Sequence, residues 1–349
     1  MKSSHDAKMV VLSEAKWRRL GMAMLTKGGV PERDAKIITD TLVTGSLAGI
    51  DSHGVRNFPA FSKPSKRSIK VLRDKGATVL LDPGQTPGPV YATIATRIAI
   101  EKAKKFGIGC CSAIGGRWVT NLFGYMWQAT RSNTIGMAFV RTPSAGTAWG
   151  GIKPVFGTNP LGIGFPAGKE HPVILDFATT IVSHGQTLSR ALKGQPQLAG
   201  WFVDKKGHTV PETLVTPEKW EKWVTARGLV PFGTYKGWGL AVTTELMGGA
   251  LNMVGTGSRS NAENGFTVVA IDVAAFSPLA GYKKEVDAYV KQVKSSGVRP
   301  GFDEVLMPGE REFKIMKQRK REGIPVTQMS WKDISDKCKT LGLDPKAYT

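Results

Sequence analysis

The chain has 349 residues, of which 41% are hydrophobic and 22% charged, values typical of a globular protein with one large domain or two closely packed ones. No run approaches the roughly 18 apolar residues of a membrane span and the first residues lack a secretory pattern, so we expect a cytoplasmic protein with no membrane partner. The 48 basic and 28 acidic residues give a formal net charge of +20, which predicts attraction for anionic ligands.

The first part of the chain has the pattern of two helices. Apolar residues recur at helical spacing between residues 12 and 50, and Gly28-Gly29-Val30-Pro31 divides this segment in two. Ser13 has a suitable side chain to cap the first helix. Residues 62–76 are basic and irregular, and no regular element is predicted for them.

Short apolar runs in the middle of the chain predict strands, with helices spaced unevenly between them. The predicted strands are residues 78–82, 108–114, 135–140, 173–175, 201–204 and 266–271. The predicted helices are residues 92–106, 122–131, 239–254 and 283–295, with two more after Gly309. This order indicates a mixed α+β fold and not a regularly alternating parallel sheet. No Gly-x-Gly-x-x-Gly fingerprint follows a strand, so a Rossmann domain is not expected.

The cysteines predict neither a disulfide framework nor a metal site. Cys110 and Cys111 lie in an apolar run that indicates a buried strand, and Cys338 is far away in the sequence. Their spacing to histidines is not that of zinc ligands. We therefore expect free thiols and no metal.

The most basic stretch is KIMKQRKR at residues 314–321. We interpret it as the exposed face of a helix, because no nucleic-acid-binding module accompanies it and specific nucleic-acid binding is not expected. The alternative is a polyanion-binding protein with an inherited fold, which requires binding that is selective and not merely lost at moderate salt.

Five short segments carry residues suited to chemistry or to ligand binding. In chain order they are Asp51-Ser52-His53-Gly54-Val55, Gly157-Thr158-Asn159-Pro160-Leu161, Asp176-Phe177-Ala178-Thr179-Thr180, Gly233-Thr234-Tyr235-Lys236-Gly237 and Pro308-Gly309-Glu310. Together and in this order they resemble the malate/L-lactate dehydrogenase family, which also includes cyclic ketimine reductases. The resemblance extends from about the tenth residue almost to the end of the chain.

The resemblance implies a particular α+β architecture. It is a largely antiparallel, non-Rossmann β domain that binds NAD(P), packed with a helical domain built from both chain ends. We place the helical domain at residues 1–76 and 278–349 and the cofactor-binding domain at residues 77–277. The resemblance also implies a homodimer.

His53 is the candidate catalytic residue. Reduction of a 2-oxo acid needs a proton donor that titrates near the operating pH, which suits histidine, and the family resemblance assigns this role to His53. Ser52 is expected to orient the imidazole or to bind the substrate. The alternative is a histidine that only caps a helix end.

The other matching positions are candidate cofactor-binding residues. The resemblance assigns this role to Thr158, Asn159, Pro160, Asp176, Thr179, Thr180, Tyr235, Lys236, Pro308, Gly309 and Glu310. Lys236 would pair with a cofactor phosphate as a point charge. The alternatives are a plain turn at Asn159-Pro160, a solvated Lys236 and a helix-capping Glu310.

Basic residues after Thr180 bear on the choice between NADP and NAD. A 2′-phosphate needs a cationic partner, and His184, Arg190 or Lys193 can supply one. The segment also resembles the NADP-preferring ketimine reductases. We therefore favour NADP.

The chain departs from the family pattern at two substrate-binding positions. Many members read S-H-G-V-x-R-x-P-x-Y, but here Asn57 holds the arginine position, Arg56 precedes it and Phe61 holds the tyrosine position. The histidine of a second segment falls on Trp118, which cannot exchange a proton. We take Arg56, Asn57, Arg117 and Trp118 as candidate substrate-binding residues, with Arg117 a possible anion partner.

Two interpretations of the function follow. In the first, the protein is an NAD(P)-dependent oxidoreductase that transfers hydride between nicotinamide and the C=O or C=N carbon of a small 2-oxo or 2-hydroxy acid or cyclic imine, with an altered substrate pocket. In the second, it binds cofactor but has lost the usual oxo-acid dehydrogenase activity. The presence of His53 and of the cofactor segments favours the first.

Overall fold

The structure is a computed structural model, and it describes residues 9–259 and 264–348. The strands are β1 (Met9–Leu12), β2 (Lys70–Lys75), β3 (Thr78–Asp82), β4 (Ile108–Gly116), β5 (Thr134–Arg141), β6 (Gly146–Thr147), β7 (Pro154–Phe156), β8 (Leu161–Phe165), β9 (Val173–Phe177), β10 (Phe202–Val203), β11 (Gly228–Leu229), β12 (Asn264–Asp272) and β13 (Ile324–Thr327). The helices are α1 (Glu14–Lys27), α2 (Glu32–Leu47), α3 (Phe58–Phe61), α4 (Gly88–Phe106), α5 (Phe123–Arg131), α6 (His184–Leu192), α7 (Pro217–Thr225), α8 (Tyr235–Glu245), α9 (Leu279–Lys294), α10 (Glu310–Glu322) and α11 (Gln328–Thr340).

A seven-stranded sheet forms the centre of the molecule, in the order β2-β3-β4-β12-β5-β8-β9. Within it, β3 and β4 run parallel and the other neighbouring strands are antiparallel. The parallel pair is joined by α4, as a parallel connection requires a crossover. The fold is therefore α+β, as the order of the predicted elements indicates, and its central sheet is largely antiparallel, as the family resemblance implies.

Two helices cover this sheet. α4 packs on β4 and β12, and α5 packs on β5 and β8. The core between them contains fully buried aromatic side chains, among them Tyr91, Tyr125 and Phe266. Tyr91 and Tyr125 each meet Phe266 edge to face, at ring-centroid distances of 6.2 and 5.9 Å. These aromatic side chains belong to the main hydrophobic core, which supports the central sheet.

The two ends of the described chain meet. β1 pairs antiparallel with β13, and the fully buried Trp17 of α1 donates its indole N–H to the Ile324 carbonyl at 3.1 Å. Trp17 also contacts Trp331 of α11 edge to face at 6.0 Å. The first and last helices of the described chain therefore share one core.

A smaller four-stranded sheet, in the order β10-β11-β6-β7, lies apart from the central one. It has its own apolar cluster, in which Phe202 and Trp223 meet at 4.9 Å. Helices α6 and α7 contact each other beside it. This part of the chain brings α6 towards the N-terminal helices.

Most predicted elements are present, with differences at the weakly patterned ones. α1 and α2 are the two helices predicted between residues 12 and 50, and Ser13 Oγ accepts a hydrogen bond from the Lys16 amide as the predicted cap. Residues 62–76 were expected to be irregular but contain β2, an exposed edge strand with no alternation of apolar residues. The helix predicted at 239–254 instead begins at Tyr235 and ends at Glu245, followed by one π-helical turn at Leu246–Ala250.

The thiols of Cys110, Cys111 and Cys338 are free, and Cys111 is fully buried in β4. Across residues 9–259 and 264–348, no helix is long and apolar enough to cross a membrane. The same described residues contain no cluster of three or more histidine, cysteine or acidic side chains that could hold a metal.

Candidate active site

A cleft of about 760 Å³ lies where the turn after α2, the end of β9, α6 and the start of α10 come together. We call it the His53 cleft. Its lining includes seven of the residues predicted from the sequence: Ser52, His53, Thr158, Pro160, Asp176, Pro308 and Gly309. Segments more than 250 residues apart in the chain thus meet at one cavity. The volume lies in the range of small-molecule and cofactor sites.

His53 is held by the short 3-10 turn Asp51–His53 that follows α2. A hydrogen bond of 2.7 Å joins Ser52 Oγ to His53 Nδ1 and fixes the orientation of the imidazole. Asp51 in the same turn pairs with Arg319 of α10, with Nη1 to Oδ1 at 2.5 Å. The turn is thereby tied to a helix near the other end of the chain.

Gly185 in α6 packs directly against this turn. A Cβ at position 185 would lie 2.8 Å from the Ser52 Cβ, closer than real Cβ contacts allow. Only glycine lets α6 approach the Ser52–His53 pair this closely. No pattern in the sequence marks this contact, because Gly185 lies in an ordinary polar stretch.

The imidazole of His53 is neutral at physiological pH in this structure. Its burial and the positive charge of Arg56 lower the pKa of His53 to about 4. The sequence led us to expect a histidine that titrates near the operating pH, and the free protein differs from that expectation. A neutral imidazole with Nδ1 bonded to Ser52 is suited to accept a proton at Nε2.

Asp176 lies near the end of β9, and its carboxylate caps the start of helix α5. Oδ2 accepts hydrogen bonds of 2.9 Å from the backbone amides of both Leu122 and Phe123, at the start of α5. Burial raises the pKa of Asp176 to about 6, although these two hydrogen bonds act to lower it. Asp176 therefore anchors α5 at the cleft, and one oxygen is already engaged.

Asn121 is a cleft residue that sequence reasoning missed. Its Oδ1 accepts a hydrogen bond from the Gly124 amide at 3.1 Å, while its buried Nδ2 has no partner among the described residues. The side chain is only 3% exposed and it lines the His53 cleft. Helix-capping preference was the only available signal, and it predicts the contact with Gly124 but not a ligand role.

The side chain of Asn159 does not face the cleft, contrary to the expectation that its amide meets a ligand. It is fully buried, with Oδ1 accepting from the Thr142 amide at 3.0 Å and Nδ2 donating to Glu245 at 2.5 Å. Glu245 in turn pairs with the buried Arg141 at 3.4 Å. Asn159 therefore holds the turn, and its neighbours Thr158 and Pro160 form the cleft wall.

Thr179 and Thr180 are also engaged within the protein. Both are buried, and their hydroxyls donate to the carbonyls of Thr158 at 3.1 Å and Val182 at 2.8 Å. They fix the segment that connects β9 to α6. The prediction that these hydroxyls contact cofactor is not supported by their orientation here.

Gly309 and Glu310 form the start of α10. Gly309 has a φ of +87°, and a Cβ there would lie 2.8 Å from the Ile174 carbonyl oxygen, so glycine is required. The Glu310 carboxylate contacts Lys294 and accepts from the Met307 amide at 3.1 Å. Burial acts to raise the pKa of Glu310, but these partners outweigh it and lower the pKa. Its side chain matches the capping alternative.

Tyr235 and Lys236 lie outside the His53 cleft. They begin α8, where both side chains are exposed, and Tyr235 is 62% exposed. The left-handed residue Thr234, with a φ of +62°, precedes them. The sequence placed this segment at the cofactor, but the described cleft does not include it.

Of the basic residues proposed for a 2′-phosphate, Lys193 alone lines the cleft among the described residues. Arg190 donates to the Pro196 carbonyl at 2.6 Å and lies over the Trp201 ring. His184 begins α6 and meets Trp220 edge to face at 6.3 Å, and burial lowers its pKa. Arg190 and His184 are therefore committed to aromatic neighbours.

The side chains of Asn57 and Arg56 do not line the His53 cleft. The Asn57 amide donates to the carbonyls of Ser52 at 3.1 Å and Gly54 at 3.0 Å, so it braces the turn and is not directed at a substrate. Arg56 lines a separate cavity of about 90 Å³ together with Lys193. Adjacent residues of a tight helical turn point to different sides, so Arg56 does not take over the missing arginine's place.

Trp118 lies beside His53, with ring centroids 5.3 Å apart, and stacks on Phe61 at 6.0 Å. These two aromatic rings and Arg117 line a second cleft of about 570 Å³, which we call the Trp118 cleft. Arg117 is exposed there and donates to the Gln85 side chain. Arg117 and Trp118, both predicted from the sequence, therefore line one cavity, and neither is among the residues that line the His53 cleft.

A family model described as malate/L-lactate dehydrogenase matches residues 12–335, which include every residue of the His53 cleft. The protein is therefore an oxidoreductase of the dehydrogenase class. The chain belongs to the malate/L-lactate dehydrogenase family, as the resemblance implied.

Named relatives cover nearly the whole chain. The malate/(S)-sulfolactate dehydrogenase of Methanothermus fervidus is 31% identical over 351 residues, which is 94% of this chain and 98% of that protein. The solved sulfolactate dehydrogenase from Methanocaldococcus jannaschii has a TM-score of 0.85 at 29% identity, covering 97% of this chain and 99% of that chain. The malate dehydrogenase structure from Entamoeba histolytica, at 24% identity, shares the fold with a TM-score of 0.89, covering 96% of this chain and 99% of that chain.

Proposed function

We propose that the protein is an NAD(P)-dependent oxidoreductase that acts on the C=O or C=N carbon of a small 2-oxo or 2-hydroxy acid or cyclic imine. The single observation that carries this proposal is the His53–Ser52 pair, with a 2.7 Å hydrogen bond, on the wall of the 760 Å³ cleft. A fixed imidazole beside a dinucleotide-sized cavity is the arrangement that hydride-transfer chemistry needs for its proton.

The His53 cleft has the groups that a nicotinamide dinucleotide needs. α6 and α10 both begin at its wall, and helix N-termini present backbone N–H groups to phosphates. Lys193 adds a positive charge, and Thr158 lies on the same wall. When bound, the cofactor would donate or accept the hydride. The cationic Lys193 supports NADP over NAD, since it can meet a 2′-phosphate.

We assign His53 the proton transfer. With a pKa of about 4, the neutral imidazole is ready to accept the hydroxyl proton of a 2-hydroxy acid. In the reducing direction, an anionic substrate beside the ring would stabilise the imidazolium and raise this pKa, so that the same nitrogen donates. The unpartnered Asn121 Nδ2 lies at the same cleft, and we propose that it donates to a substrate oxygen.

The second candidate function is cofactor binding without the usual oxo-acid activity. One observation favours it. Asn57 stands where related sequences have an arginine, and its amide is hydrogen-bonded to the Ser52 and Gly54 carbonyls, so a substrate carboxylate would lack the arginine clamp. The Trp118 cleft offers other cations to an anionic substrate, which favours an active enzyme with altered specificity.

We further propose a cytoplasmic homodimer with a helical part at residues 1–76 and 278–349 and a cofactor-binding part at residues 77–277. The antiparallel pairing of β1 with β13 supports a helical part that is built from both ends of the chain. Light scattering of the purified protein tests the oligomeric state, and a monomer at micromolar concentration would contradict it.

The deciding experiment is a titration with NADPH and with NADH, followed by nicotinamide fluorescence. Pyruvate, oxaloacetate and a cyclic imino acid are then added in parallel and cofactor oxidation is measured. Saturable binding with turnover is the expected result. Binding without turnover of any substrate would favour the second candidate, and absence of binding to both cofactors would contradict the proposal.

A further inference from the structure

The Trp118 cleft has an aromatic wall. Phe61 and Trp118 stack with an interplanar angle of 15°, and the indole is 37% exposed. A partly exposed indole backed by a second ring offers a flat apolar surface on which another flat group can pack. The volume of about 570 Å³ accommodates a ring with substituents.

The rest of the lining is cationic. Lys63, Lys66 and Arg117 contribute three positive charges, and no acidic residue is among the described residues that line the cleft. Lys63 and Lys66 are exposed and have no ion-pair partner within the described ranges 9–259 and 264–348. An uncompensated group of this kind attracts an anion.

A buried hydroxyl at the same cleft points independently to a polar ligand. Ser65 lies between the two lysines, and its Oγ is buried without a hydrogen-bond partner among the residues that the structure describes. A buried polar atom left unsatisfied is costly, and a ligand oxygen that bonds to it would recover that cost.

Trp118 connects this cleft to the reacting centre. Its ring centroid lies 5.3 Å from that of the His53 imidazole and 6.0 Å from that of Phe61, so the indole neighbours both rings. A substrate whose reacting carbon lies at His53 can extend along the indole into the Trp118 cleft.

We propose that the substrate is a 2-oxo acid, or the corresponding cyclic imino acid, whose side group is flat and apolar and ends in a second anion. The side group packs on Trp118, and the terminal anion lies among Lys63, Ser65 and Lys66. This inference rests on the proposed function for the reaction itself and adds the substrate class. It makes Trp118 and the lysine pair the residues that determine specificity.

The test compares three substrates: pyruvate, phenylpyruvate and para-carboxyphenylpyruvate. We expect kcat/KM to rise in that order, and the variant Lys63→Gln/Lys66→Gln to reduce the ratio of para-carboxyphenylpyruvate to phenylpyruvate about tenfold. The matched control is Lys205→Gln/Lys206→Gln, which removes two exposed lysines elsewhere and leaves the ratio unchanged. Trp118→Leu should reduce the ratio of phenylpyruvate to pyruvate.

Calorimetric binding of para-carboxyphenylpyruvate without cofactor separates this inference from the proposed function. Binding that the lysine-pair variant weakens and the control does not supports the inference, even if no turnover is found. Equal kcat/KM for pyruvate and both aromatic acids, or identical binding to the variant and the wild type, would overturn it and leave the reductase proposal standing.

Discussion

The two clefts beside His53 differ in charge and in construction. The His53 cleft mixes acidic and basic groups, including Asp51, Asp176 and Lys193, and both of these carboxylates are bonded within the protein. The Trp118 cleft carries three cations and an aromatic wall. The first contains residues of four of the five segments that match the family pattern, and the second contains Phe61 and Trp118, two of the residues that depart from it. Our two proposals therefore assign the reaction to the His53 cleft and the substrate specificity to the Trp118 cleft.

The sharpest way to separate the clefts is to remove the imidazole. We expect His53→Ala to lower kcat by about 10²–10⁴, because the proton transfer is lost, with little change in cofactor affinity. His208→Ala, at an exposed histidine outside both clefts, is the control. Steady-state kinetics and cofactor titration give the two values. Turnover like that of the wild type would remove His53 from the mechanism.

Two lysines test whether the proposed cofactor lies in the His53 cleft or at α8. Lys193→Gln should weaken NADPH binding about tenfold and NADH binding less, because Lys193 lines the His53 cleft. Lys236→Gln, at an exposed residue outside the described cleft, should have little effect. Fluorescence titrations of both variants decide between the positions. The opposite ranking would show that the cofactor follows the family pattern to α8.

Variants of Ser52 test how much the orientation of the His53 imidazole contributes to kcat. Ser52→Ala removes the hydrogen bond to His53 Nδ1, so we expect kcat to fall about five- to tenfold. Ser52→Thr keeps the hydroxyl and should retain more activity. If alanine and threonine variants have equal kcat, the hydrogen bond does not position the ring.

The smallest expected effect concerns pH. Burial and then the Arg56 charge lower the pKa of His53 to about 4, so oxidation of a 2-hydroxy acid should lose activity as pH falls through that value. Arg56→Gln removes the charge and should raise this pKa by a few tenths of a unit, which moves the acid limb of kcat/KM to higher pH. The pH profiles of both proteins measure the shift. An unmoved limb would mean that desolvation alone sets this pKa.

Periodicity predicted the parts of the fold whose apolar faces are strong. The helices at 92–106 and 122–131 and the strand at 266–271 correspond to α4, α5 and β12 because each buries a regular face in the core. β2 was missed because all six of its side chains are exposed, so no alternation marks it. Of the two-residue strands in the smaller sheet, β10 lies within the strand predicted at residues 201–204, whereas β6 and β11 were not predicted because they are too short to leave a pattern.

The sequence predicted which segments form the candidate site, but not where their side chains point. The motifs that resemble the family led to the segments at His53, Thr158 and Pro308, which line one cleft. They did not reveal that the amide of Asn159 is directed inward to Glu245, because that contact depends on a helix 86 residues further along the chain. Asn121 was missed for the same reason, since its unpartnered amide is visible only when its surroundings are known.

The pairing of β1 with β13 has a consequence for synthesis on the ribosome. α1 packs on α2, and Trp17 stacks on Phe58, but the contacts of Trp17 with Ile324 and Trp331 can form only after those residues have emerged. At about 5–20 residues per second, this interval lasts tens of seconds. The turn that carries His53 also waits for Arg319 over the same period. The core that α1 shares with β13 and α11 is therefore completed only after residue 331 has emerged.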